Sequence, residues 1–131
     1  MEYSLGQEEL DSIEVILNDD LIGIGVECVL LIDMAGNMVA MCDNGRFSHD
    51  AYSLAALSAA NFGAVDAMAK IVGEDKFSLL FHEGDNESIH SSRVGDDFLL
   101  VSIFGKDVSL GFLRLRIEKA IERLKDVFVK Q

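Results

Sequence analysis

The stretch from about His49 to Val72, HDAYSLAALSAANFGAVDAMAKIV, has helical spacing but no polar face. At about 100° per residue, Leu54, Leu57, Asn61, Val65, Met68 and Val72 fall on one stripe, which we expect to pack on a sheet. The opposite side carries Ala56, Ala60, Gly63 and Ala67, where a surface helix normally shows its charges to water. Between Ala51 and Val72 the only charges are Asp66 and Lys70. A helix that is apolar all round needs cover on both sides, and Ala and Gly let a second backbone come close. One reading is a central helix inside a single core. The rest of a 131-residue chain has little with which to cover a second face. We therefore expect this helix to meet a second protein chain.

That length suits one domain spanning residues 1–131, with a core of its own. Half of the residues are apolar, which excludes disorder. A net charge of −12 repels a phosphate backbone and anionic lipid, so neither nucleic acid nor a membrane surface is expected as a partner. No apolar run approaches the ~20 residues that span a bilayer. The N-terminus, MEYSLGQEEL, lacks the basic-then-apolar form of a signal peptide, so a cytoplasmic location is expected. Cys28 and Cys42 sit inside apolar runs and read as reduced core thiols rather than a disulfide.

In chain order, a short amphipathic helix is expected from about Gly6 to Asn18, on Leu10, Ile13, Ile16 and Leu17. LIGIGVE is a two-glycine loop, and no phosphate-loop pattern follows it. Two strands come next, Val26 to Asp33 and Met38 to Asp43, joined by a tight turn in which Gly36 takes a positive φ. The nearly continuous apolar run VECVLLID marks a central strand buried on both faces. Ser48 or Asp50 is placed to cap the long helix, and Gly73 to stop it. Three strands then meander, Phe77 to Glu83, Glu87 to Val94 and Phe98 to Phe104, and the polar middle one should have a wet face. A final amphipathic helix follows Ser109, its expected N-cap.

The order α-β-β-α-β-β-β-α predicts one five-stranded antiparallel sheet with helices on both faces, an α+β fold. The first twenty residues hold seven acids and no base, whereas the segment from Ser109 onward holds six bases and three acids. Complementary charge should place the first and last helices side by side. The central helix then has the other face to itself.

The search for chemistry is mostly negative. Ser48, His49 and Asp50 are sequence neighbours, which is not triad geometry. His82 and His90 lie in facing strands and could approach, but they lack a third ligand at metal spacing. Glu83, Asp85 and Glu87 read as a solvated turn and lack the spacing of a calcium loop. Arg46, Arg93, Arg114 and Arg116 could meet an acidic partner or a phosphate, with plain solvation the default for each. No catalytic residue, metal or cofactor is expected.

LLIDMAGNMVA, SLAALSAANFGAVDAMAKIVGEDKF, FHEG at Phe81 to Gly84 and SLGFLRLRIEKA at Ser109 to Ala120 stand in an order that resembles the Roadblock/LC7 domain family, and its MglB-type bacterial members in particular. The resemblance covers about Glu9 to Phe128. It implies the profilin-like version of this fold. It also implies a homodimer, with long helices packed together and sheets joined at an edge. The implied partner is a Ras-like small GTPase of the MglA type, which the dimer activates and localises in cell polarity or motility, without an arginine finger. On this basis Ala56, Ala60, Gly63, Ala64 and Ala67, with Phe77, Leu79 and Phe81 of the apolar FSLLF edge, are expected in the dimer or GTPase interface. Arg46 and Phe47 are expected to flank the docking site. Two other readings are a dimeric scaffold that leaves GTP hydrolysis alone, and, ranked last, a small-molecule sensor or minor enzyme.

Overall fold

Strand β1 (Cys28–Asp33) fixes the architecture, because five of its six residues are buried and both of its edges are paired. The computed structural model describes residues 5–129. In chain order these form α1 (Gln7–Asp20), a single 3-10 turn at Ile22–Ile24, β1, β2 (Met38–Asp43), α2 (Ala51–Ile71), β3 (Leu79–Glu83), β4 (Glu87–Val94), β5 (Phe98–Gly105) and α3 (Leu110–Val129). The strands make one sheet in the order β2-β1-β5-β4-β3, antiparallel throughout. The expected α+β order and five-stranded sheet are both present. Strand ends differ slightly: β1 and β3 each begin two residues later than the apolar runs, and β5 runs one residue further.

Alternation along β1 divides the core. Cys28, Leu30 and Ile32 point to one face, where Leu99, Val101 and Ile103 of β5 meet Ala51, Ala55, Ala59 and Phe62 of α2. Val29 and Leu31 point to the other, with Leu100 and Phe104, against Ile13, Ile16 and Leu17 of α1 and Leu113, Ile117 and Leu124 of α3. As charge predicted, α1 and α3 share a face: Asp20 of α1, 1% exposed, is ringed by Arg116, Lys119 and Arg123 of α3. Helix α2 stands alone on the other. Cys28 and Cys42 are free, buried thiols on opposite faces of the sheet. Burial pushes the Cys28 thiol up to about 12.

Local signals place the elements. Asp33 Oδ1 accepts from the backbone N–H groups of Ala35 and Asn37, and its other oxygen from the Asn37 amide, so the β1–β2 turn closes on Gly36 at φ 90°. Asp50, rather than Ser48, caps α2 by accepting from Ser53 N–H at 3.0 Å. Ser109 Oγ accepts from Phe112 N–H at the start of α3, and Gly73 follows α2 at φ 84°.

Two expectations fail. Most of the Leu54–Val72 stripe does not pack on the sheet: Leu57, Met68 and Val72 are 68%, 59% and 68% exposed, although Leu54, half-buried, packs against the core there. The sheet instead receives Ala51, Ala55, Ser58, Ala59, Phe62 and Ala69. In a helix apolar all round, periodicity cannot choose the inner face. Close approach does: small side chains let α2 lie low over the bulky residues of β1 and β5, with Phe62 as the one large knob. The second failure is β4, whose central His90, Ser91 and Ser92 are 1%, 4% and 5% exposed rather than wet. Strand β4 lies inside the sheet, between β3 and β5, so its central residues are covered.

Candidate interaction surface

The outer face of α2 is apolar and without cover among the described residues. Ala56, Ala60, Gly63, Ala64 and Ala67 are all exposed along it. Leu57, Met68 and Ile71 border them, Ile71 at 84% exposure. These positions lie opposite the buried set on the helical wheel. Of the two charges in the helix, Asp66 is withdrawn from this face: it pairs with Arg93, whose Nε also donates to the Phe77 carbonyl at 2.8 Å. The Arg93 guanidinium lies 5.1 Å over the centre of the Phe62 ring, so one side chain ties β4 to α2 and to the approach of β3. Lys70 is left as the only charge on the outer side of the helix.

Leu79 and Phe81, expected at an interface through the β3 edge, lie apart from that surface. Phe77 precedes β3. Leu79 and Phe81 alternate onto the face shared by α1 and α3, opposite Ser92 and His90 in register. Phe81 stacks on Phe104 with centroids 6.1 Å apart, which gives it a role in the core. Leu80 and His82 are the β3 residues on the α2 side, and Leu80 packs against the core there. Among the described residues strand β3 is an unpaired sheet edge, so its backbone is free to pair.

Arg46 is exposed, and Phe47 is half-buried with its ring edge-on to His49 at 5.3 Å. Phe47, His49, Leu54, Leu57, Ile89 and Ile103 line an apolar cleft of about 360 Å³ beside the start of α2. Leu57 belongs to both the cleft and the outer helix face, so the two are continuous. Sequence reading missed this cleft, because Ile89 and Ile103 are brought under Phe47 only by the β4–β5 pairing.

Polar candidates resolve into separate places. Asp50 is spent on its cap and on Ser53 Oγ at 2.6 Å. His82 and His90 cannot meet: His82 pairs with Ile89 and His90 with Phe81, so they project from opposite faces. Glu87, read as part of a solvated turn, reaches Glu27 at the end of the sheet. Their hydrogen bond, burial and the neighbouring charge of Asp107 push the Glu27 carboxyl up to about 7. Among the described residues, no group of three or more His, Cys, Asp or Glu could hold a metal ion. Nor is any helix there long and apolar enough to cross a membrane.

Comparison with known proteins agrees with this architecture. The family described as Roadblock/LC7 domain matches residues 24–104, more than half of the chain. The structure of Myxococcus xanthus MglB is similar over 98% of this chain and 96% of its own, with 33% identity and a TM-score of 0.88. The gliding protein MglB of Thermus thermophilus matches over all of both chains, with 27% identity and a TM-score of 0.90. A further structure, described as MglB with tetrameric arrangement, matches over 99% of this chain and 98% of its own, with 28% identity and the same TM-score of 0.90.

Proposed function

The chain belongs to the Roadblock/LC7 domain family, and from that premise we propose that it is a non-catalytic, homodimeric regulator of a Ras-like small GTPase of the MglA type. The observation that carries this reading is the outer face of α2. Leu57, Ala60, Ala64, Ala67, Met68 and Ile71 lie exposed together on a rigid 21-residue helix. Such a face has few charges to desolvate and short side chains with little entropy to lose. In a two-fold dimer it becomes a flat platform, flanked by the apolar cleft at Phe47. The likeness to MglB supports the choice of partner.

The regulator acts from the cytoplasm by gripping the GTPase in its GTP form and reshaping its switch region. It supplies position rather than a reacting group. The test is GTP hydrolysis by an MglA-type GTPase with and without this protein, beside light scattering of the protein alone. Stimulated hydrolysis and a dimer mass are expected. Binding without stimulation would favour the scaffold reading. A monomer at micromolar concentration would remove the platform and the proposal with it.

A further inference from the structure

A pocket of about 210 Å³ lies where α3 passes over β4 and the β3 edge. Its floor is His90, 1% exposed, whose Nε2 is buried without a hydrogen-bond partner among the described residues. Ser92 Oγ stands 3.3 Å from His90 Nδ1. Where that hydroxyl donates to Nδ1, the ring proton sits on Nε2, a buried donor without a receiver among the described residues; in the other tautomer Nε2 is a buried acceptor. Ser102, directly opposite His90 in register, likewise has a buried Oγ without a partner among the described residues. Unmet polar groups of this kind are costly to keep in a core, and two neighbours on one face mark a place built around polar contact.

Arg114 stands at the mouth, close enough that its charge, after burial, helps hold His90 down at about 4 and therefore neutral. Arg93 also lines the pocket, but its guanidinium is engaged with Asp66 and the Phe77 carbonyl. Leu79, Ile117 and Ile121 supply apolar wall, and Glu118 is the one acid among the lining residues. The volume lies below the ~300 Å³ at which pockets begin to take drug-sized ligands, so the occupant has few heavy atoms. Among the described residues the lining offers one cation without an ion pair, one acid and a neutral imidazole, which favours a single negative charge over a multiply charged phosphate.

We propose that this pocket binds a small carboxylate monoanion with a short aliphatic stem. The carboxylate lies between His90 Nε2 and the Arg114 guanidinium, and the stem lies along Leu79, Ile117 and Ile121. The site lies on the sheet face opposite α2 and does not rest on the GTPase reading. Binding brings a negative charge to a buried imidazole, so it must favour the protonated ring and raise the affinity of His90 for a proton.

The test follows the His90 ring nitrogens by NMR in the whole protein at constant ionic strength, with butyrate as the probe. Butanol, butylamine and phosphate serve as the neutral, cationic and multiply charged comparisons. Butyrate is expected to move the His90 signals saturably at neutral pH, where the probe is fully ionised. The other three probes should leave His90 in place. Arg114→Gln, at an exposed position, should weaken butyrate about tenfold, the loss of a charge-assisted contact, while Arg114→Lys keeps part of the affinity. The proposal is overturned by an absent or non-saturating response to butyrate. It is equally overturned if butanol or phosphate acts as well as butyrate, or if folded Arg114→Gln binds like the parent.

Discussion

Arg123 donates a hydrogen bond to the carboxylate of Asp20 across 3.0 Å, joining the second half of α3 to the last residue of α1. Arg116 and Lys119 stand 3.8 Å from the same oxygen, and Arg116 also donates to the Asp20 and Asp19 carbonyls at 3.1 Å. The first helix thus ends in a buried anion whose counter-ions all come from the last. Complementarity that composition shows only as a sum is concentrated at one residue.

Asp20→Ala should therefore cost about 2 kcal/mol, below the ~3 to 5 kcal/mol of a fully buried pair, because its partners can turn to water once released. Arg123→Met should cost about 1 kcal/mol, since two cations remain beside the carboxylate. Urea melts of the two variants check the order. Equal losses, or a larger loss for Arg123→Met, would show that the charges do not act as one cluster.

A second prediction separates contact from backbone strain. A Cβ on Gly36 would stand 3.0 Å from the Ala56 Cα, at φ 90°. A Cβ on Gly45, at φ 84°, would meet nothing within 4 Å. Gly45→Ala carries conformational strain alone, at about 1 kcal/mol. Gly36→Ala adds a collision with helix backbone that no rotamer relieves, and should cost about 2 kcal/mol or more. Thermal melts of both variants decide it: equal losses would mean that the β1–β2 turn does not rest on α2.

These positions also mark what a reader of the sequence alone can and cannot see. Cys28–Asp33 reads as a central strand because only a strand with both faces covered tolerates a continuous apolar run. Gly36, Gly73 and Ser109 read as a turn, a helix stop and a cap because their chemistry is local. The orientation of α2 does not read, since no polar stripe tells its inside from its outside. The burial of β4 depends on chain far from it in sequence. The separation of His82 from His90 depends on strand parity, which a register one residue away would reverse. Asp20 looks like any other acid of the first twenty residues until α3 lies beside it. The outer α2 face was legible as five small residues; the cleft at Phe47 and the pocket at His90 were not, because each is assembled from separate strands.

The third prediction concerns pH. The hydrogen bond from Glu87, burial and nearby acidic charge raise Glu27 from an ordinary 4.5 to about 7. Since the folded chain holds this proton more tightly than the unfolded one, the contribution is full below pH 4.5 and is lost as pH rises through 7. His90 has the opposite sense: burial and the Arg114 charge lower it from 6.5 to about 4, so its contribution is lost as pH falls through that range. The two slopes overlap in the parent, and the difference between parent and variant is the proper readout. Glu27→Gln keeps the hydrogen bond and cannot ionise. At pH 8 it should be more stable than the parent by about 1 kcal/mol, moderated by partial solvent screening, and at pH 4 equal to it. A gain that is the same at both pH values would rule out shared-proton chemistry at the Glu27–Glu87 pair.

The last prediction distinguishes two uses of the α2 face. If the helices of two copies cross near Ala60, one antiparallel crossing occupies only part of a 21-residue helix, and the remaining small residues are free for the GTPase. If the copies lie along their full lengths, all of Ala56, Ala60, Gly63, Ala64 and Ala67 are spent in the dimer. Ala64→Arg and Ala67→Arg each place a long cation on an exposed position, so neither should disturb the sheet-facing core or lower the melting temperature of an isolated subunit. In the first arrangement at least one variant stays dimeric by light scattering and loses GTPase binding and stimulation by tenfold or more, since a single charge buried without a partner in an interface costs ~2 kcal/mol or above. In the second, both variants become monomers. Folded, dimeric variants that stimulate hydrolysis like the parent would exclude this face as the docking site and direct the search to the unpaired β3 edge.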